Sequence, residues 1–383
     1  MKICHLITRM IHGGAQQNTL LTLAGLRRDT SWDVRLACGP ETGEEGCLLP
    51  EVRALGVGID SIFHLRRNFH PWHDPAALAE LVAYFRREKF DLVHTHSSKA
   101  GVLGRVAAKW AGIPRIVHSI HGLAFDDLQP AWQNWIYLRA ERWAAANTDC
   151  FIAVCRTMAG EALAAGMGEP AQMRVVYSAF DLDDFLAVRP RMPDGRFVVG
   201  AVARMFPLKG HEDLMRLAPR LFERWPDVDL LLVGDGPMRR DWEAWLAASP
   251  QWRERICLAG RVSQAEVAGW MARMDFFVHL SWREGLARTI PQAFAAGVPM
   301  CVYNTGGAAE LVENGRTGWL AAPGDMDAVM ASIGQAREDL THAREMAAHG
   351  REKVRQLFGV ETMQRSILEI YREMGMAASA PMK

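Results

Sequence analysis

The feature that most constrains this fold is an alternation that begins at the first residue: short apolar runs, each long enough for one buried strand, separated by segments of helical periodicity. The runs are K-I-C-H-L-I-T from Lys2, D-V-R-L-A-C from Asp33, V-G-I-D-S-I-F from Val57, D-L-V-H-T-H from Asp91, R-I-V-H-S-I-H from Arg115, C-F-I-A-V-C from Cys150 and M-R-V-V-Y-S-A from Met173. Helical segments such as Ala15 to Arg28 and Lys99 to Ala111 lie between them. Strands apolar on both faces, alternating with amphipathic helices, imply parallel sheets covered on both sides. A polar, proline-containing stretch at 181–196 interrupts the pattern, which restarts at Phe197 and repeats to about Asp325. We therefore expect an α/β protein of two doubly wound Rossmann-like domains facing a cleft. The first spans 1–180, a linker follows at 181–196, and the second spans 197–359.

A chain of 383 residues, 49% of them hydrophobic, has enough apolar surface for a core in each domain. Its 44 basic and 44 acidic residues balance, which removes the basic footprint expected of a nucleic-acid-binding protein. The seven cysteines have no zinc-ligand spacing, and Cys150 and Cys155 flank an apolar run as core residues would. An odd number of buried thiols fits a reducing cytoplasm, and the N-terminus carries neither a signal peptide nor a membrane span.

Chemistry is concentrated where runs of the second half end. The segment S-W-R-E-G-L-A-R-T-I-P-Q-A-F-A-A-G-V-P, 281–299, follows an apolar strand with an acid-glycine pair and opens a short capped helix, with Pro291 in its first turn. Backbone N–H groups of Gly285 to Arg288 are placed to meet a phosphate, and Glu284 beside them would face neutral hydroxyls. In F-V-V-G-A-V-A-R-M-F-P-L-K-G, 197–210, a strand delivers Arg204 and a Pro207 turn delivers Lys209; two cations at one strand end suit a diphosphate. The run V-D-L-L-L-V-G-D-G-P, 228–237, ends in Gly234 and Gly236, where a base or ribose could approach the backbone.

These motifs, in this order, resemble the retaining GT-B-fold glycosyltransferases of family four. The likeness continues through G-G-A-A-E-L-V at 306–312 and N-G-R-T-G-W-L-A-A-P-G-D at 314–325 and covers nearly the whole chain. It implies that Arg204 and Lys209 hold the donor diphosphate, that Glu284 contacts the sugar hydroxyls, and that Gly285 and Leu286 border the donor. It also implies that a last helix, about 360–375, packs back on the first domain. The family's second acid, on the ribose, is replaced here by Gln292. An amide offers one acceptor and one donor, so a ribose contact survives with roughly 1 kcal/mol less binding.

In the first half, nine of the thirteen histidines precede residue 181, and four stand in two strand ends, His94, His96, His118 and His121. No carboxylate accompanies them at helical metal-ligand spacing, so we read a sugar site, not a metal. The resemblance selects His121, with His96 second and His94 and His118 as core. It also places Gly13 and Gly14, with Gln16, at the donor phosphates. Lys99 is an acceptor candidate or a solvated helix-start lysine. The basic-aromatic loop I-F-H-L-R-R-N-F-H-P-W-H, 62–73, with Arg66 and Arg67, is either a contact for an anionic membrane or a loop packed on its own domain.

The chain lacks G-x-S-x-G, Walker A and H-E-x-x-H motifs, and the D-x-D pairs Asp181/Asp183 and Asp227/Asp229 fall outside strand ends. The expected enzyme is a metal-independent hexosyltransferase without cofactor. It moves a sugar from a nucleoside diphosphate sugar, UDP or GDP, to a carbohydrate or lipid-linked hydroxyl in surface polysaccharide, lipopolysaccharide or lipid-linked oligosaccharide synthesis. Its expected place is cytoplasmic, peripheral on the inner face of the membrane. A sugar-nucleotide epimerase of the same fold and a noncatalytic nucleotide-sugar-binding protein stay open. An NAD-binding reading fails on the missing third glycine after Gly236.

Overall fold

A computed structural model describes residues 1–40, 46–125, 129–192 and 194–375. The chain divides into two compact units, Met1–Phe180 with Val360–Lys383, and Asp181–Gly359.

The first unit is built on seven parallel strands: β1 (Lys2–Ile7), β2 (Asp33–Cys38), β3 (Gly58–Ser61), β4 (Leu92–His96), β5 (Ile116–Ile120), β6 (Cys150–Ala153) and β7 (Met173–Val175). They lie in the order β3-β2-β1-β4-β5-β6-β7. Alternate side chains of a strand point to opposite faces. Ile3 and Ile7 accordingly join the core beneath helix Gly14–Arg27, while Cys4 and Leu6 join the core beneath helices His73–Glu88 and Ser98–Ala111. The last helix, Val360–Glu373, buries Met363, Ile367, Ile370 and Tyr371 in the first of these cores. That spacing is one helical face. Gln364 Nε2 reinforces it by donating to the Leu21 carbonyl at 2.7 Å.

The second unit carries β8 (Phe197–Val202), β9 (Val228–Val233), β10 (Ile256–Gly260), β11 (Phe276–His279), β12 (Met300–Tyr303) and β13 (Trp319–Ala321), in the order β10-β9-β8-β11-β12-β13. Every recorded pairing in both sheets is parallel. Residues 181–192 and 194–196, expected as linker, include a helix, Leu182–Ala187, that buries Leu182 and Phe185. Arg191 then pairs with Asp275, whose carboxylate also accepts from the Val198 N–H at 2.9 Å.

In parallel sheets every strand ends on the same edge, and that edge is where α/β proteins bind ligands. His121 follows β5, Arg204 follows β8, Gly234 follows β9 and Glu284 follows β11.

Candidate active site

Glu284 is placed by two interlocked turns. Beyond β11, Ser281 Oγ donates to the Leu208 carbonyl at 3.1 Å and the Trp282 N–H donates to the same oxygen at 2.9 Å. Leu208 has φ +66°, a left-handed conformation that a leucine seldom adopts, and the neighbouring loop holds it there. A Cβ on Gly210 would stand 2.4 Å from the Leu280 carbonyl oxygen, so only glycine allows the two turns to close. The outcome is a contact that sequence reasoning did not foresee: Lys209 Nζ lies 2.5 Å from Glu284 Oε1. It also donates to the Arg283 carbonyl at 3.2 Å. His279 Nε2 stands 3.5 Å from the same carboxylate oxygen, and its Nδ1 is 3.3 Å from Thr289 Oγ1.

Support for this loop comes from beneath. Buried Asp213 accepts from Trp282 Nε1 at 2.7 Å and from the Tyr303 hydroxyl at 2.9 Å. The Gly307 N–H donates to the Gly285 carbonyl at 2.7 Å, and a Cβ on Gly306 would meet that oxygen at 2.3 Å.

Burial opposes the charge on Glu284, yet the His279 ring and the Lys209 ammonium hold its pKa down to about 2. A carboxyl whose folded pKa is depressed stabilises the fold above its unfolded value, near 4.5, and loses that contribution as pH falls toward 2. The thermal-midpoint advantage of the wild type over Glu284→Gln is therefore expected to shrink across that window. A constant difference would show that Glu284 does not titrate there.

Arg204 is exposed, its guanidinium carbon 5.1 Å from the Phe206 ring centroid. Its backbone is fixed from below: His211 Nδ1 accepts from Trp242 Nε1, so the His211 proton sits on Nε2 and is donated to the Arg204 carbonyl at 3.2 Å. The fold itself requires Gly234 and Gly236 to be small. A Cβ on Gly234 would fall 1.9 Å from the Ala203 carbonyl oxygen, and one on Gly236 2.5 Å from that of Met205. The glycines let this loop cross the loop bearing Arg204, and the Met205 N–H donates to the Asp235 carbonyl at 2.9 Å.

The helix after the acid-glycine pair is Thr289–Ala295, only seven residues, and no side chain caps it. Its expected role as a capped anion site is thus reduced. Gln292 is 4% exposed. A carboxylate at that position would be desolvated, a cost the neutral amide avoids. Gly285 and Leu286 are half-buried. In the same loop, burial pushes the Arg288 guanidinium down to about 10, a poorly hydrated cation. Sequence reasoning missed His279, because a histidine inside an apolar strand carries no local signal.

In the first unit Gly14 opens the helix Gly14–Arg27, whose first turn has no acid and no side-chain cap. Gln16 lies against Gly13. His121 is half-buried and joined through Nε2 to His96 Nδ1 at 3.2 Å. His96 is fully buried and stands behind His121. His94 and His118 are internal, hydrogen-bonded to Tyr371 and Ser119, and to Thr95. Among the described residues, His5, His94 and His96 bring their ring nitrogens within 4.8 Å of one another, close enough to suggest an ion. All six nitrogens already have hydrogen-bond partners.

Lys99 is committed: it pairs with Asp74 and donates to the Asn68 carbonyl, which pins the 62–73 segment and leaves it poorly placed as an acceptor contact. Arg66 stacks on Phe63 at 5.3 Å, and Arg67 is exposed. Asp227 pairs with Arg337, and Asp229 with Arg196 and Arg255, so that D-x-D pair serves the scaffold.

Comparison with known proteins decides the family. A model of the glycosyl transferase 4-like domain matches residues 13–179, and one of the glycosyl transferases group 1 matches residues 196–339. The chain belongs to the family-four, group 1 glycosyltransferases. Among its relatives, the UDP-Gal:alpha-D-GlcNAc-diphosphoundecaprenol alpha-1,3-galactosyltransferase of Escherichia coli is 27% identical over 98% of this chain and 97% of its own. The 2-deoxystreptamine glucosyltransferase of Streptomyces kanamyceticus is 29% identical over 74% of this chain and 78% of its own. The fold matches Anabaena Alr3699/HepE, solved with UDP-glucose, at a TM-score of 0.79 and 24% identity, over 97% of this glycosyltransferase and all of that chain. The GT-B architecture expected from the sequence is therefore present, and the enzyme is a retaining hexosyltransferase that uses a nucleoside diphosphate sugar.

Proposed function

We propose that this glycosyltransferase transfers a hexose from a UDP-sugar to the saccharide of a polyprenyl diphosphate, with Arg204, Lys209 and Glu284 as the residues that meet the donor. The observation that carries the reading is the Lys209–Glu284 pair beyond β11. The pair stores a cation and a carboxylate in one place without ligand. A donor diphosphate competes for Lys209, which frees Glu284 to accept from the sugar hydroxyls. Relatives support the base and the acceptor class, since one is named for UDP-Gal and a diphosphoundecaprenol-linked acceptor and another structure holds UDP-glucose.

In the reaction the bond from the anomeric carbon to the phosphate oxygen breaks, and negative charge grows on the departing diphosphate. Arg204 and Lys209 face that charge, which is the task of preorganised cations in transfer catalysis. The acceptor oxygen bonds to the anomeric carbon on the same face, and its proton passes to the departing phosphate oxygen. Gln292 takes the ribose, and Gly285 and Leu286 border the phosphates. Gly234 and Gly236 act through the Arg204 loop they support.

Thermal stabilisation by UDP-, GDP-, ADP- and CDP-sugars, with and without EDTA, tests this. UDP-sugars alone are expected to raise the midpoint, and equally in EDTA. A preference for GDP would overturn the base, an EDTA-sensitive response the metal independence, and silence toward every donor the site.

An acceptor on a lipid brings the enzyme to a membrane surface, though no helix among the described residues is long and apolar enough to cross one. Loop 62–73 exposes Phe63, Phe69 and Trp72 beside Arg66 and Arg67. A second face is richer: helix Ala131–Ala145 exposes Trp132, Trp135, Ile136, Tyr137, Arg139, Arg142 and Trp143. Its one acid, Glu141, is buried, and Trp110 of the neighbouring helix packs on Trp143. Aromatic rings with cations and no exposed acid suit an anionic interface. A self-contact across a two-fold axis would instead set cation against cation. Flotation with vesicles containing phosphatidylglycerol is expected, and expected to fail for the triple variant Trp132→Ser, Trp135→Ser, Arg139→Glu. If that variant floats normally and Arg66→Glu with Arg67→Glu does not, the loop is the contact.

A further inference from the structure

We infer that His279 is a positioning residue for Glu284: when a donor diphosphate takes Lys209, the carboxylate passes from the ammonium to the His279 ring, which keeps it turned toward the sugar. The inference rests on the donor reading of Lys209 and Glu284 and says what holds the carboxylate once they part.

Lys209 Nζ and His279 Nε2 face the same oxygen of Glu284, Oε1, at 2.5 and 3.5 Å. The other oxygen, Oε2, has no partner among the described residues, so it is the one left to accept from sugar hydroxyls. His279 closes β11 and is 5% exposed. Its ring is fixed on two sides: Nδ1 lies 3.3 Å from Thr289 Oγ1, and the ring stacks on Phe277 with centroids 6.3 Å apart. Nε2 is buried and makes no hydrogen bond, because 3.5 Å is too long for a good one. An unmet buried donor carries a penalty, and Glu284 Oε1 is the acceptor within its reach.

The geometry puts a hydrogen on Nε2. With its pKa held down to about 2, Glu284 is ionised, and an ionised carboxylate only accepts. A lone pair on Nε2 would face that charged oxygen, so this nitrogen carries the proton. Nδ1 can be bare or protonated, since the Thr289 hydroxyl donates or accepts equally well, and the ring serves Glu284 in either state of charge.

The groups that act most on the charge of Glu284 are His279, from β11, and Lys209, from the loop after β8, and burial works against both. Donor binding removes Lys209. A carboxylate only 18% exposed, its ammonium turned to a diphosphate, needs another donor to stay ionised. His279 Nε2 is already in place, and a movement of about half an ångström closes the hydrogen bond.

Two variants separate the ring nitrogens. His279→Asn keeps an amide near the Nδ1 position and nothing near Nε2, whereas His279→Gln reaches the Nε2 position with an N–H. Titration calorimetry with UDP-galactose and UDP-glucose, whose diphosphates stay ionised between about pH 5.5 and 7.5, reads affinity and proton uptake together. At the upper pH His279→Asn is expected to bind roughly ten- to a hundredfold more weakly than the wild type, the size of one hydrogen bond to a charged group. Its stranded carboxyl should take up about one proton in the complex, so that its affinity improves as the pH falls. His279→Gln is expected to bind within about threefold of the wild type without that uptake. Neither variant has an imidazole, so the difference in protons belongs to Glu284. Equal losses in both variants with no proton taken up would make the ring a packing element and sink the proposal, and wild-type affinity in His279→Asn would overturn it as well. A crystal structure of the wild type with UDP needs no variant to fold. Lys209 is expected on the diphosphate, and Glu284 Oε1 about 3 Å from His279 Nε2. A surviving Lys209–Glu284 pair beside bound UDP would refute the handover and leave the donor site standing. Binding of neither UDP-hexose by the wild type would instead remove the donor reading, and this inference with it.

Discussion

Lys209→Ala is expected to lower turnover about 100-fold or more, the size seen when one preorganised charge-stabilising donor is lost. Two losses coincide in that variant. The leaving diphosphate loses a cation that the strained Leu208 turn delivers, and Glu284 loses the nearer of its two partners. With only His279 beside it, the Glu284 carboxyl should titrate above its present value of about 2. The fold should also lose part of the stability that this pair contributes, because the Lys209 and Glu284 side chains are only 21% and 18% exposed and the carboxylate keeps His279 alone as partner. Initial rates of nucleotide release at saturating donor, read with a thermal midpoint, separate the two effects. Near-normal rates would refute the assignment of Lys209. A Glu284→Gln variant with a larger loss in turnover than in donor affinity would place that carboxylate at the sugar in the transition state.

The largest stability effect is expected from Glu141→Ala. Arg105 and Glu141 form an ion pair between helices Ser98–Ala111 and Ala131–Ala145, with side chains 0% and 5% exposed. Arg105 Nε also donates to the Gly101 carbonyl at 2.8 Å, and its guanidinium lies 5.9 Å from the Phe151 ring centroid. Removing the carboxylate leaves a cation without a counter-charge in the core, a loss of about 3–5 kcal/mol. Exchanging both residues, Arg105→Met with Glu141→Leu, should be close to neutral or stabilising, since neither charge then needs desolvation. Urea unfolding followed by tryptophan fluorescence gives both numbers. A loss below about 1 kcal/mol in the single variant would mean that water reaches Arg105.

Most of the architecture could be read from pattern. Buried strands alternate with helices because parallel sheets need both faces covered, and the positions of Arg204, Lys209 and Glu284 after β8 and β11 follow from where those apolar runs stop. The last helix was legible as periodicity and its packing only through the family resemblance; the structure shows that it buries Met363, Ile367, Ile370 and Tyr371. Reading was weaker where a residue serves a neighbour distant in sequence. Gly234 and Gly236 looked like ligand glycines, and the backbone they make room for belongs to residues 203–205. Lys99 looked exposed, and its partner is Asp74.

What the sequence determined by itself was therefore everything set by local spacing: strand and helix type, the two-fold repetition of the α/β pattern, the family, and the residue types at the strand ends. What only the tertiary structure decided was how those residues pair. Lys209 and Glu284 are 75 positions apart. Periodicity is a property of neighbours along the chain, whereas a charge or a proton is satisfied by whatever the fold brings within about 3 Å of it.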